Sequence, residues 1–248
     1  MPCMLHGMRS SSFLLDLLYP PYCESCRKVL TRGEVLCDEC LARLTLTEHG
    51  RMRDNKLEAL FADIRKFERG AAWCFYDDDS VVLRLIHSLK YYSRPSIGEW
   101  IGRMAAEEMR RQNPLFFEGM DVVVPVPLHK NKERERGYNQ SELIAKGVAR
   151  ACGLPLDTLS LVRVIDNQTQ TRLSREERLE NTRDIFALSD KESLRGKHVL
   201  LVDDVVTTGA TMRDCMRCLS PLRGTRFSVL SAAVAGNLSS QPFTSSTV

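Results

Sequence analysis

An α/β fold with a doubly wound, mostly parallel sheet is predicted for this chain of 248 residues on three observations. Two apolar runs, one within Asp121–Pro127 and the other Val199–Val202, have the character of strands buried on both faces. Each is followed by a polar loop and then by a segment of helical period, the alternation expected of parallel α/β units. The second run passes straight into Asp203-Asp204-Val205-Val206-Thr207-Thr208-Gly209-Ala210-Thr211. Two carboxylates and a hydroxyl-rich loop therefore fall at the carboxyl end of a strand, where open α/β sheets hold their ligands.

Length allows one sizeable core and a small appendage. With 35 Lys and Arg against 32 Asp and Glu, the net charge of +3 is too small to argue for nucleic acid or an anionic membrane as a partner. A local excess stands out from His129 to Arg150: Lys130, Lys132, Arg134, Arg136, Lys146 and Arg150 face only Glu133, Glu135 and Glu142. No run approaches the roughly 20 apolar residues of a membrane span. Phe13–Leu18 is short and interrupted by Asp16, which argues against an export signal. Nine cysteines without such a signal point to metal or free thiols in a reducing compartment, and the expected location is the cytoplasm.

From the amino terminus, residues 19–45 contain Cys23-Glu-Ser-Cys26 and Cys37-Asp-Glu-Cys40. The stretch between the pairs, Lys28–Leu36, reads as a hairpin that brings four thiolates round one ion, a four-cysteine knuckle or ribbon. Zinc is the default, rubredoxin-like iron the alternative, and the role structural. Residues 46–70 read as a charged, helical connector. The main domain is expected over 71–238, opening with a strand at Ala71–Tyr76. Val82, Leu85, Ile86 and Leu89 mark one helix, at whose end Lys90 lies, and Ile97, Trp100, Ile101, Met104, Ala105 and Met109 a second. After the proline-stopped strand come the basic loop, Arg136-Gly137-Tyr138-Asn139-Gln140, and a helix with Leu143, Ile144, Gly147 and Val148 on one face. Leu161–Val164 and Ile185–Leu188 are short strands around the polar segment 166–181, where Ser174 and Glu177 fit a capping box. Thr211–Leu219 follows as a helix, with Cys215 and Cys218 packing on its face, then a last strand at Phe227–Val234 and a polar tail at 239–248.

Chemistry concentrates after Val202. Adjacent carboxylates can accept hydrogen bonds from the vicinal hydroxyls of a ribose, and Thr207 to Thr211 offer N–H groups and hydroxyls to a phosphate. Gly209 lets the backbone come close, and the following helix amino terminus adds its dipole. Neither a Gly-x-x-x-x-Gly-Lys-Ser/Thr loop nor a Gly-x-Gly-x-x-Gly turn opening a helix is present, which argues against a kinase or a dinucleotide enzyme. None of the five histidines, His6, His49, His87, His129 and His198, sits in an acid–base arrangement.

Strand, acid pair, threonine-rich loop and helix in this order resemble the phosphoribosyl pyrophosphate (PRPP) signature of type I phosphoribosyltransferases. The cysteine knuckle, Lys90-Tyr91-Tyr92, Val124-Pro125-Val126-Pro127, Arg136-Gly137-Tyr138-Asn139-Gln140, Gln168 through Arg178 to Asn181, and the acid-pair segment together resemble the ComF family, from about Tyr19 to Val234. Members of that family look like type I phosphoribosyltransferases carrying an amino-terminal zinc-binding segment, and several are linked to natural competence or DNA uptake. The resemblance implies that Asp203 and Asp204 hold the ribose hydroxyls and that Val206, Thr207, Thr208, Gly209, Ala210 and Thr211 hold the 5-phosphate. Lys90 and Arg136 then stand as catalytic cations near the leaving group, with Gly137, Asn139, Gln140, Gln168, Arg172 and Arg178 at the pyrophosphate or in a hood over it. Mg2+ would accompany PRPP, and the acceptor is an unidentified nitrogen nucleophile. The competing reading is a non-catalytic PRPP sensor or scaffold acting through a competence helicase. Direct nucleic-acid binding by the knuckle is not expected, because it lacks interleaved aromatics and a dense basic stripe.

Overall fold

The computed structural model describes residues 20–31, 33–91, 94–165 and 185–235. The chain forms two compact units, Met1–Leu44 and Thr45–Val248.

In the first unit the chain reverses at the first cysteine pair. Tyr22 bridges Val29 in antiparallel fashion, Leu30 N–H donates to the Pro21 carbonyl at 2.8 Å, and Cys23 N–H to that of Lys28 at 2.8 Å. The expected hairpin is thus displaced. The paired strands wrap Cys23–Cys26; the predicted turn is marked by Glu34 N–H donating to the Thr31 carbonyl at 3.3 Å, and the chain beyond it returns to the first cysteine pair through Glu24 N–H to the Val35 carbonyl at 3.0 Å. The cause is the tight turn that the closely spaced cysteines make themselves. Cys37 caps a short helix, α1 (Asp38–Ala42), whose first turn buries Cys40.

The second unit is built on four parallel strands: β1 (Phe67–Tyr76), β2 (Val122–Pro125), β5 (His198–Val206) and β6 (Arg226–Ala235), in the order β1-β6-β5-β2. A separate antiparallel pair joins β3 (Leu161–Arg163) to β4 (Phe186–Leu188). Between them lie α2 (Lys56–Ala59), α3 (Val81–Tyr91), α4 (Pro95–Gln112), α5 (Lys130–Arg136), α6 (Gln140–Cys152) and α7 (Ala210–Leu219). None of these helices is long and apolar enough to cross a membrane.

Pleat alternation sends residues of each strand to opposite layers. On one face Val122, Val124, Val199, Leu201, Phe227 and Val229 pack with Met212, Cys215, Met216 and Leu219 of α7 and with Leu57 and Phe61 near α2. The other layer contains α4 and α6, which touch backbone to backbone. A Cβ on Gly102 would be driven into the Ile144 carbonyl, and one on Gly147 into that of Glu99. Small residues at both crossing points are what permit this approach.

The expected helical connector is corrected in two places. Residues 46–70 contain one short helix, α2, capped by Asn55, whose side chain accepts from Leu57 and Glu58 N–H at 3.0 Å each. Leu46 bridges Cys74 along the outer edge of β1, and β1 itself starts at Phe67, four residues before the predicted start. Asn55 donates to the Gly70 carbonyl at 2.9 Å and Glu58 accepts from Gly70 N–H at 3.0 Å, so the charged Glu68-Arg69 stretch is held in the sheet by partners remote in sequence. The basic loop also differs from expectation: its centre is the helix α5.

Candidate functional site

Strand β5 carries its apolar run between β6 and β2, with Val199 to Val202 fully buried. Toward its carboxyl end it carries Asp203 and Asp204, with Asp203 still paired with Ser231 of β6. Asp203 is 9% exposed, and its Oδ1 accepts from Ser141 Oγ at 2.7 Å and from Asp204 N–H at 2.9 Å. Burial, then the adjacent Asp204 carboxylate, pushes Asp203 up to about 7. Asp204 forms an ion pair with Lys90 in the last turn of α3, Nζ to Oδ2 2.6 Å, with side chains 14% and 25% exposed respectively. One carboxylate is thus held by a hydroxyl and the other by an ammonium.

The start of α6 closes the site from a second direction. Asn139 caps the helix by accepting from Ser141 N–H at 3.1 Å, and its amide donates to the Val126 carbonyl at 3.1 Å just beyond β2. This fixes Ser141 against Asp203. Arg136, in the last turn of α5, donates to Gln140 Oε1 at 2.9 Å, and the buried Gln140 Nε2 has no partner among the described residues. An unpaired buried amide is costly, so a site for a ligand acceptor beside it is chemically apt. Between these residues Gly137 takes φ 85° to end α5, and Tyr138 Oη donates to the Leu89 carbonyl at 2.5 Å, one residue before Lys90. Ser231 lies in register with Asp203 on β6, its buried hydroxyl also without a partner among the described residues.

The predicted phosphate loop joins β5 to α7. Thr207, Thr208, Ala210 and Thr211 are exposed, and Gly209 is buried with φ 75°. A Cβ at Gly209 would come within 2.9 Å of Phe61, so this glycine meets both a conformational and a packing demand. No side chain of Gly209 caps α7; Thr208 Oγ1 accepts only a long bond, 3.4 Å, from Ala210 N–H. The helix start therefore retains donors suited to an anion. Val206 turns its side chain into the core, which leaves only its backbone for a ligand. Gln168, Arg172 and Arg178, together with Asn181, the capping box and Tyr92, lie outside the described residues.

Sequence reasoning thus brought Asp203, Asp204, Lys90, Asn139 and the Gln140–Arg136 pair to one strand end, linked by hydrogen bonds or chain continuity. It gave Tyr138 no role of its own and missed Ser141 and Ser231. Ser141 had one available signal: it is the second residue of a helix capped by Asn139.

The four knuckle thiols form a second site in the first unit. The Sγ atoms of Cys23, Cys26, Cys37 and Cys40 all lie within 4.8 Å of one another, with Cys26 and Cys37 3.6 Å apart. A tetrahedral zinc thiolate with Zn–S of about 2.3 Å has S–S edges of about 3.8 Å, so the donor set fits the ion in number, chemistry and size. Burial opposes ionisation of Cys23, but N–H bonds from Cys26, Cys37 and Ser25 overcome it and bring the thiol down to about 6.

Two domain models match the chain. A phosphoribosyl transferase domain model matches residues 138–246, and a double zinc ribbon domain model residues 14–51. The parallel sheet flanked by helices has the fold of the type I phosphoribosyltransferase class, with an amino-terminal zinc ribbon, and the ribbon match with the four-cysteine cluster supports structural zinc. A DNA utilization protein YhgH of Salmonella typhimurium is 34% identical over 138 residues, 54% of this chain; the chain spans 59% of that relative's length. Competence protein F of Haemophilus influenzae is 26% identical over 204 residues, covering 82% of this chain and 80% of the relative. Competence protein ComFC of Bacillus subtilis is 37% identical over 98 residues, covering 40% of this chain and 38% of the relative. These matches support assignment of the chain to the ComF family, whose members it resembles in both the phosphoribosyl transferase domain and the zinc ribbon.

Proposed function

We propose that the second unit binds PRPP and transfers its phosphoribosyl group to a nitrogen nucleophile with release of pyrophosphate, and that this activity serves DNA uptake. The observation that carries the reading is the acid pair itself. Two carboxylates held by different partners, Ser141 and Lys90, stand at a strand end that runs into an uncapped helix start. In the proposed reaction Asp203 and Asp204 accept hydrogen bonds from the ribose hydroxyls and oppose the positive charge that grows on C1 as the glycosidic bond to pyrophosphate breaks. The backbone from Val206 to Thr211 and the hydroxyls of Thr207, Thr208 and Thr211 bind the 5-phosphate. Lys90 and Arg136 bind the leaving pyrophosphate, and Gln140 Nε2 donates to one of its oxygens. Gln168, Arg172 and Arg178 are assigned to a hood that excludes water. Mg2+, when bound with PRPP, would neutralise part of the pyrophosphate charge; the acid pair supplies oxygen donors of the kind it prefers. The role in DNA uptake rests on the names of the competence and DNA utilization relatives.

A second reading is favoured by one observation: Lys90 already neutralises Asp204, as in a pocket built to hold a ligand without turning it over. In that case the protein is a PRPP-responsive scaffold for a competence helicase. Pyrophosphate release from PRPP and Mg2+, assayed against a panel of bases and amines, separates the two. Wild type is expected to turn over and Asp204→Asn to lose at least about a hundredfold, the scale for removal of one electrostatic stabiliser. Calorimetric binding of PRPP without any turnover would favour the scaffold, and no binding at all would end both readings.

A further inference from the structure

A second cavity lies on the other end of α7, and its lining is unlike that of the acid-pair site. It measures about 580 Å³ and lies between β4, the turn from Lys191 to Arg195, the last turn of α7 and the loop Pro221–Arg223. Four cations line it, Lys191, Arg195, Arg217 and Arg223, and no carboxylate among the described residues does. Beneath them Phe186, Leu188 and Leu222 form an apolar floor. Two of the cations have carboxylate neighbours outside the lining: Arg195 meets Glu192 at 2.7 Å and Arg217 meets Asp214 at 2.9 Å. Both pairs are i,i+3 contacts with guanidinium side chains 55% and 66% exposed, too wet to tie up five-donor groups.

We propose that this cavity binds a small phosphorylated molecule carrying a flat ring, a ligand of the nucleoside monophosphate class. Its volume suits a small molecule and far exceeds one phosphate. Four cations with no carboxylate beside them among the described lining residues suit an anion, and the apolar lining suits a part of the ligand that prefers to leave water. The negative end of the α7 dipole points here, so no anion would settle without those side chains; Arg217 in the last turn offsets it. The site is separate from the phosphate loop, since Arg217 lies seven residues along α7 from Ala210, about 10 Å at the helical rise. Helix α7 therefore carries an anion site at each end.

Titration calorimetry of the full chain without Mg2+, using AMP, adenosine and inorganic pyrophosphate as probes, tests the proposal. AMP is expected to bind more tightly than either fragment. Lys191→Glu with Arg223→Glu removes two lining cations and should weaken AMP at least about tenfold, the scale of even one lost charge-assisted contact. Every titration is repeated in Asp204→Asn, because AMP also carries the ribose 5-phosphate that the acid-pair site is proposed to hold; the heat that survives in that background is the heat of this cavity. Both substituted cations are exposed, and Lys191→Gln with Arg223→Gln serves if the charge reversal fails to fold. Unchanged AMP affinity in either double variant overturns the site. Pyrophosphate binding as tightly as AMP overturns the ring contact, and absence of heat with all three probes overturns the whole inference.

Discussion

Asp203→Asn should make the protein more stable at pH 8 while destroying its proposed activity. In the folded chain the carboxyl is raised from its ordinary 3.8 to about 7 by burial and by Asp204. Between those two values the folded state holds a proton that the unfolded chain has released, so stability falls as pH rises through this window and the full penalty stands above it. The rise from 3.8 to about 7 corresponds to an upper bound of about 4 kcal/mol at 1.36 kcal/mol per pH unit, and about 2 kcal/mol is the expected order because Lys90 also feels the pair. Asparagine keeps an Oδ1, the atom that accepts from both Ser141 and Asp204, and so removes the charge without removing the bonds. Urea unfolding of wild type and variant at pH 5 and pH 8 measures the difference. The variant should gain more stability at pH 8 than at pH 5. Equal effects at the two values, or a larger gain at pH 5, would refute the claim that this carboxylate is held ionised against its surroundings.

Other perturbations test the rest of the framework. Chelation, or Cys37→Ser, should unfold the first unit, since metal binding in small zinc domains supplies on the order of 10 kcal/mol of folding energy; limited proteolysis should then cut within residues 20–44 and spare the second unit. Gly102→Ala should cost about 1–3 kcal/mol through the clash with the Ile144 carbonyl, read as a fall in the urea midpoint with unchanged slope. Asn139→Ala removes a cap and leaves the Val126 carbonyl without its donor, for a loss of about 1–2 kcal/mol; PRPP affinity should fall with it because Ser141 is no longer fixed against Asp203.

Legibility in the sequence followed the range of the interactions. Val199–Val202 announced itself because a strand buried on both faces must be apolar throughout, and the acids that follow were readable because the ligand end of a parallel strand is adjacent to it in sequence. The first half of β1 was hidden because Phe67 and Arg69 pair with β6, more than 150 residues away, while the charged Glu68 sits at an irregularity between them. Ser141 was hidden for the same reason, since its partner Asp203 is 62 residues distant. The knuckle hairpin was misplaced by a local effect: apolar Val29, Leu30, Val35 and Leu36 suggested two strands facing one another, whereas the cysteine turn recruits Pro21 and Tyr22 instead.

The glycine contacts between α4 and α6 bear on how the acid-pair edge responds to a visitor. With Gly102 and Gly147 each seated against the opposing main chain, the two helices behave as one slab, and the amide-bearing start of α6 is clamped to the end of β5 through Ser141. That wall cannot give way without breaking several couplings at once. Accommodation therefore falls on a single side chain: Lys90 can leave Asp204 when a sugar arrives, while the Tyr138 bond to the Leu89 carbonyl keeps the end of α3 in place.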